Sequence, residues 1–197
     1  MVAEPADEAK LVEQAKTDPV AFGELYERYV RRIFNYIYYR TGNEHDAEDL
    51  TARVFYRALE NIDHYTVRGL PFSAWLYRIA HNLVANWHRD RSRQKVSPLD
   101  EIVARNLWAE EPESLAESRE ERDRLLAAIR LLPAERQQLL LLKFVERMSN
   151  AEIGLVMGRT EGAVKSLYHR TLLSLRDELG MRPPNGRTMP TQGGAQP

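Results

Sequence analysis

The stretch SNAEIGLVMGRTEGAVKSLYHRTLLSLR, residues 149–176, decides the fold. A short apolar helix, a glycine turn and a longer basic helix follow one another at helix-turn-helix spacing. Such a unit lays its second helix in the major groove of DNA. Its two helices cross closely, so the first needs a small residue. Gly154 supplies it, and Gly158 allows the tight turn. Ile153, Val156, Val164, Tyr168, Leu172 and Leu175 are expected to share a core. The other face of the second helix carries Lys165, Ser166, His169, Arg170 and Arg176, with Arg159 just before it. A plainer reading is a solvated helical hairpin with a basic edge. The turn, the small residue and the charged face together favour DNA. Arginine and lysine would hold phosphates, which position without specifying. Base contacts would come from the first two helical turns, beginning at Thr160 and Glu161.

Working outward, apolar residues recur at helical spacing almost throughout, and no alternating strand pattern stands out, so the chain reads all-α. Asp18-Pro19 opens a helix, Asp as cap and Pro at its first position. Its apolar stripe is Phe22, Leu25, Tyr26, Tyr29, Ile33 and Ile37, and Thr41-Gly42-Asn43 stops it. Asn43 can cap the next helix, which opens on Glu44, Asp46, Glu48 and Asp49, the charges a helix N-terminus favours. Residues 61–72, NIDHYTVRGLPF, read as a loop. Ser73 is expected to cap a long helix to about Gln94, with Trp75, Ile79, Leu83 and Trp87 at four-residue steps.

The opposite face of that helix carries Arg78, Asn82, Asn86, Arg89 and Arg93. Asn82 and Asn86 are neighbours on one side. Asparagine pairs with base edges, and arginine holds phosphates. An amphipathic helix with a cationic end would look the same, because that end suits its dipole. The preceding loop tips the balance. His64, Tyr65 and Arg68 are of the types that stack on or cradle an unpaired base.

Composition then shifts. Residues 96–120 carry seven acids (Asp100, Glu101, Glu110, Glu111, Glu113, Glu117, Glu120) against Arg105 and Arg119, and Pro98 and Pro112 interrupt them. Most of this reads as a flexible acidic linker. Helices follow at about 118–132, 134–147, 150–157 and 161–179. The tail 181–197 holds four prolines and three glycines, and reads as disordered. The expected organisation is therefore two small helical domains, 1–95 and 118–180, a linker at 96–117 and a tail at 181–197.

The chain of 197 residues is 43% hydrophobic, enough for real cores, and its net charge of −1 hides segregated basic faces. It has no cysteine, so neither disulfides nor thiolate metal sites are expected. The opening MVAEPADEAK does not read as a signal peptide. No run approaches the ~18 apolar residues of a membrane span, so no membrane insertion is expected. His45, His64, His81, His88 and His169 form no HExxH, no phosphate-cradling loop occurs, and the acids at 44–49 lack calcium-loop spacing. Neither a catalytic site, a metal nor a cofactor is expected.

These residues together resemble the extracytoplasmic-function sigma factors, the two-domain class of bacterial RNA polymerase specificity subunits. AFGELYERYVRRIFNYIYYRTGN followed by EHDAEDLTARVFYRALENI resembles the core of region two, with DAEDL its best marker. PFSAWLYRIAHNLVANWHRDRSR is similar to the segment that opens and reads the −10 element. Residues 131–176 resemble region four, which reads the −35 element. The resemblance covers roughly 8–95 and 118–180. It implies that Asp46, Glu48, Asp49 and Phe55 lie on the helix that docks on the polymerase clamp. It implies that Asn82 and Asn86 hold the non-template strand and that the loop at 63–70 captures a flipped base. Lys165, Ser166, His169 and Arg170 match the groove-facing part of the recognition helix. The sequence departs at Leu167, where the family often has arginine, and at Tyr168, where leucine is usual. An acidic linker of roughly 20 residues would span about 65–70 Å extended, and two turns of DNA cover about 68 Å. The implied partners are core RNA polymerase, promoter DNA and an anti-sigma factor, and the implied place is the cytoplasm. The alternative is a helix-turn-helix regulator that acts without core polymerase. An enzyme with a helical active site finds no support.

Overall fold

A computed structural model of the chain describes residues 5–66, 71–90 and 116–180. Among them every regular element is helical. In chain order they are α1 (Pro5–Ala15), α2 (Pro19–Thr41), α3 (Glu44–Asn61), a 3₁₀ turn (Ile62–His64), α4 (Phe72–Asp90), α5 (Ala116–Leu131), α6 (Ala134–Leu140), a π-helical turn (Leu141–Val145), α7 (Asn150–Met157) and α8 (Glu161–Glu178). The expected linker, most of it within 91–115, and the tail at 181–197 lie outside the described residues, as do Arg68 and Arg93.

Local chemistry sets most boundaries. The Asp18 carboxylate accepts the Val20 N–H at 2.9 Å, with Pro19 at the first helical position. Gly42 ends α2 in the left-handed region at φ 66, and the Asn43 side chain then accepts the Asp46 N–H at 3.0 Å to start α3. Ser149 and Glu152 form a reciprocal capping box at α7. Helix α1, which periodicity does not single out, packs Leu11, Val12 and Ala15 into the core beside α2 and α4.

The start of α4 differs from the sequence reading. The helix begins at Phe72, so Ser73 lies inside it. The Phe72 N–H is accepted at 3.0 Å by Glu8 Oε1, 64 residues earlier. A cap supplied from another helix leaves no local sequence signal.

Helix α4 is also buried on more sides than one stripe would allow. Phe72, Ala74, Leu76, Tyr77, Ala80, Leu83 and Val84 are all buried. The reason is a second covering: α2 and α3 pack on one side, and α7 of the C-terminal unit on another. The cores of the two units are continuous. Polar contacts cross the junction as well. Gln138, 2% exposed, donates to the Tyr36 hydroxyl at 3.0 Å and lies 2.7 Å from His81 Nδ1. Arg32 donates to Glu146 Oε2 from Nε at 3.2 Å and from Nη2 at 3.0 Å. The π-helical turn precedes Glu146, and Arg147 reverses the chain in the left-handed region at φ 55.

Candidate nucleic-acid interface

The last turn of α3, the 3₁₀ turn and the outer face of α4 form an open surface cavity of about 310 Å³, lined by Arg57, Asn61, His64, Tyr65, Trp75, Ile79 and Asn82. Tyr65 and Trp75 form its aromatic wall, with the buried Phe72 ring behind them. Tyr65 meets Trp75 at 4.9 Å between centroids and Phe72 edge-on at 5.4 Å, and Phe72 meets Trp75 at 5.4 Å. Rings in such contact hold one another rigid. Burial, then the Glu8 carboxylate, pushes the Tyr65 phenol up to about 12, so it stays a protonated hydroxyl. The cavity thus offers aromatic surface beside two amides and a guanidinium, the chemistry that receives an unstacked base.

Of the residues singled out from sequence, the cavity gathers His64, Tyr65 and Asn82. Tyr65 is buried, whereas His64 and Asn82 are exposed. Arg57, Asn61, Trp75 and Ile79 join them without having been expected there. Arg57 and Asn61 sit four apart at the end of α3, and that spacing beside the aromatic loop is the available signal. Trp75 and Ile79 fit the apolar stripe, but each is only partly buried. Further along α4, Arg78 and Arg89 point to solvent. Asn86 is half-buried, and its Oδ1 accepts from Arg89 Nη2 at 3.0 Å. Burial first, then nearby Arg40, holds His88 on this helix below its ordinary value.

The helix-turn-helix is built as its glycines require. A methyl group on Gly154 would stand 2.7 Å from the Arg159 carbonyl oxygen, so the close approach is to the turn rather than to α8. Gly158 holds φ 65, and the Arg159 N–H returns to the Gly154 carbonyl at 2.8 Å. Thr160 caps α8, its Oγ1 accepting the Ala163 N–H at 3.2 Å. Lys165, Ser166, His169 and Arg170 all face solvent. The Lys165 ammonium meets Glu161 at 2.8 Å, and Arg159 pairs with Glu135. Exposed pairs of this kind are worth about 0–1 kcal/mol, so an incoming phosphate can displace them.

The buried stripe of α8 corrects the expected one. It runs Val164, Leu167, Thr171 and Leu175, with Leu172 41% exposed and Tyr168 half-buried against Phe144. Leu167 is 4% exposed and belongs to the core. The Thr171 hydroxyl is tolerated there because it donates to the Leu167 carbonyl at 2.8 Å.

On α3, Glu48 and Asp49 are exposed and Asp46 is half-buried. Phe55 is 5% exposed and meets Tyr26 edge-on at 4.8 Å, beneath the surface rather than on it. Tyr56, 63% exposed, and Leu59, 51% exposed, stand outside it. Among the described residues no cluster of potential metal ligands occurs, and no helix is long and apolar enough to cross a membrane.

Residues 25–94 match the family model of sigma-70 region 2, and residues 122–175 that of sigma-70 region 4. The chain is 39% identical to the ECF RNA polymerase sigma factor BldN of Streptomyces coelicolor over 168 residues, which cover 84% of this chain and 63% of BldN. It is 35% identical to SigE of Mycolicibacterium smegmatis, covering 89% and 70%, and 32% identical to SigW of Bacillus subtilis, covering 86% and 95%. In fold it is similar to CnrH, solved in complex with the cytosolic domain of CnrY, with a TM-score of 0.61 at 23% identity, covering 89% of this chain and 99% of that one. It is similar also to the sigma factor RpoE of Bartonella quintana, solved with the anti-sigma factor NepR, with a TM-score of 0.56 at 17% identity, covering 82% and 98%. Two region models in the right order, on a two-unit helical fold, converge with relatives matched along most of this chain: it belongs to the extracytoplasmic-function sigma factors of RNA polymerase.

Proposed function

We propose that this sigma factor divides promoter recognition between its two units, 1–95 and 118–180. The first binds core RNA polymerase and holds the melted −10 element. The second seats α8 in the major groove of the duplex at the −35 element. Together they direct transcription initiation, and catalysis is left to the polymerase. The observation that carries this reading is the position of Asn82. It lines the aromatic cavity and shares the outer face of α4 with Arg78 and Arg89. One surface therefore offers a base-sized recess, amide groups and phosphate-binding cations. His64, Tyr65 and Asn86 belong to the same surface, and Arg68 and Arg93, outside the described residues, are assigned the same role from their place in the sequence. Arg159, Thr160, Glu161, Lys165, Ser166, His169 and Arg170 form the duplex-reading end.

The polymerase-docking surface is assigned to Asp46, Glu48 and Asp49. Phe55 supports it from below, and exposed Tyr56 adds an apolar contact. An anti-sigma factor is proposed as a further partner, since RpoE was solved with the anti-sigma factor NepR and CnrH with the cytosolic domain of CnrY. The setting is the cytoplasm, where polymerase and promoters are.

The contact between α4 and α7 has a consequence for this role. Packed helices lie about 8–10 Å apart, whereas promoter elements two turns apart are separated by about 68 Å. We infer that the two units part when polymerase and promoter are engaged, which lets the recess on α4 and the exposed face of α8 reach elements that far apart. Replacing Asn82→Ala and Asn86→Ala together tests the assignment. Open-complex formation, read by permanganate reactivity of unpaired thymines, is expected to fall about tenfold or more, the scale of base-edge hydrogen bonds worth ~1–3 kcal/mol. Core binding stays unchanged. Equal loss of both activities would contradict the assigned face.

A further inference from the structure

Glu8 lies on α1, far from every DNA-facing residue in sequence, yet it reaches the back of the aromatic cavity. Its Oε1 accepts the Phe72 N–H at 3.0 Å, and its Oε2 accepts the Tyr29 hydroxyl. The carboxylate thus satisfies the first free amide of α4, where the helix dipole favours negative charge. Phe72 is 2% exposed, and its ring touches both Tyr65 and Trp75, the two aromatic residues of the cavity lining. Tyr29 also meets Phe72, at 6.0 Å between centroids. The chain of contacts runs from the Glu8 carboxylate through the Phe72 backbone and ring to the cavity wall.

We infer that Glu8 is a positioning residue for strand capture, fixing the start of α4 and through it the aromatic wall that receives the unpaired base. The inference rests on the proposed reading of that cavity as the strand-binding site. It gives α1 a task beyond packing. Helix α1 becomes the clamp that registers α4 against α2 and α3, so the aromatic wall is preformed before DNA arrives. A preformed site binds more tightly than one that must be ordered on binding.

The test uses the full chain with core polymerase. The probe is a fluorescein-labelled single strand carrying the non-template −10 segment, selected from a random pool by the wild-type holoenzyme. Glu8→Ala is expected to weaken strand binding about tenfold, the scale of losing a helix cap, while core binding stays unchanged. Glu8→Gln keeps a carbonyl oxygen for the Phe72 N–H and should stay within about threefold of wild type. Tyr29→Phe leaves that acceptor in place and should bind the strand normally.

Wild-type strand binding by Glu8→Ala would overturn the positioning role. So would a Glu8→Gln loss as large as that of Glu8→Ala, or parallel losses of strand and core binding, which mark a merely structural effect. Trp75→Ala separates this inference from the reading beneath it. If Trp75→Ala binds the strand normally, the cavity is not the capture site and both fall. If Trp75→Ala fails while Glu8→Ala binds normally, only the role of Glu8 falls.

Discussion

Gly154→Ala tests the physics of the DNA-reading unit. The added methyl would stand 2.7 Å from the Arg159 carbonyl oxygen and 3.7 Å from the Glu161 nitrogen. Both atoms are backbone, so no side chain can swing away. The turn must shift, and that strains the 2.8 Å bond from the Arg159 N–H to the Gly154 carbonyl. Overpacking costs about 1–3 kcal/mol, and a weakened hydrogen bond adds about 1. Alanine's better helix propensity returns about 1. The net loss expected is about 1–3 kcal/mol, or several degrees of melting temperature for a domain of this size. Gly23→Ala is the control, because a methyl there meets nothing within 4 Å and should stabilise α2 by up to about 1 kcal/mol. Gly158→Ala adds no clash, but φ 65 makes it cost about 1–2 kcal/mol. Urea denaturation followed by circular dichroism ranks the three, and duplex binding reports whether α8 has moved. Equal stability of Gly154→Ala and Gly23→Ala would refute the claim that close approach at Gly154 sets the turn.

Two further outcomes are expected. Lys165→Ala with Arg170→Ala should flatten the salt dependence of duplex binding by about 0.9 in logarithmic slope for each phosphate no longer neutralised; an unchanged slope would remove both from the interface. The docked arrangement should loosen in acid. In that state burial, then Arg40, holds His81 below its ordinary value of 6.5, while Glu135 pulls the other way and Gln138 and Arg159 complete its surroundings. The open state therefore binds more protons, so docking is favoured above about pH 6.5 and fades as pH falls below it. Fluorescence transfer between dyes at exposed Tyr56 and Leu172 would follow this, and pH-independent transfer would contradict it.

How much the sequence reveals depends on how local the cause is. Asp18, Asn43, Gly42 and Gly158 act within a few residues, so the boundaries they set are legible. The cap of α4 is not, because its acceptor sits on Glu8 and only folding brings it to Phe72. The solvent-facing side of α8 is legible as Lys165, Ser166, His169 and Arg170. Its core stripe keeps the expected Val164 and Leu175 but takes in Leu167 and Thr171, leaving Tyr168 half-buried and Leu172 exposed. A threonine looks too polar to bury, and its bond to the Leu167 carbonyl leaves no trace in sequence. In the same way Trp75 fits an apolar stripe, yet it lines the recess beside Tyr65 and Asn82. The junction between the two units carries no periodic signature, since Gln138 and Glu146, which meet Tyr36 and Arg32 across it, read as ordinary surface polars.

The most direct test of the account is transcription reconstituted from purified parts. Bacterial core polymerase, this chain and a linear template bearing a promoter it selects should yield run-off transcript of defined length. Core alone, or core with the Asn82→Ala, Asn86→Ala variant, should yield little. A chain that binds duplex DNA tightly by itself, fails to associate with core and supports no run-off would contradict the account.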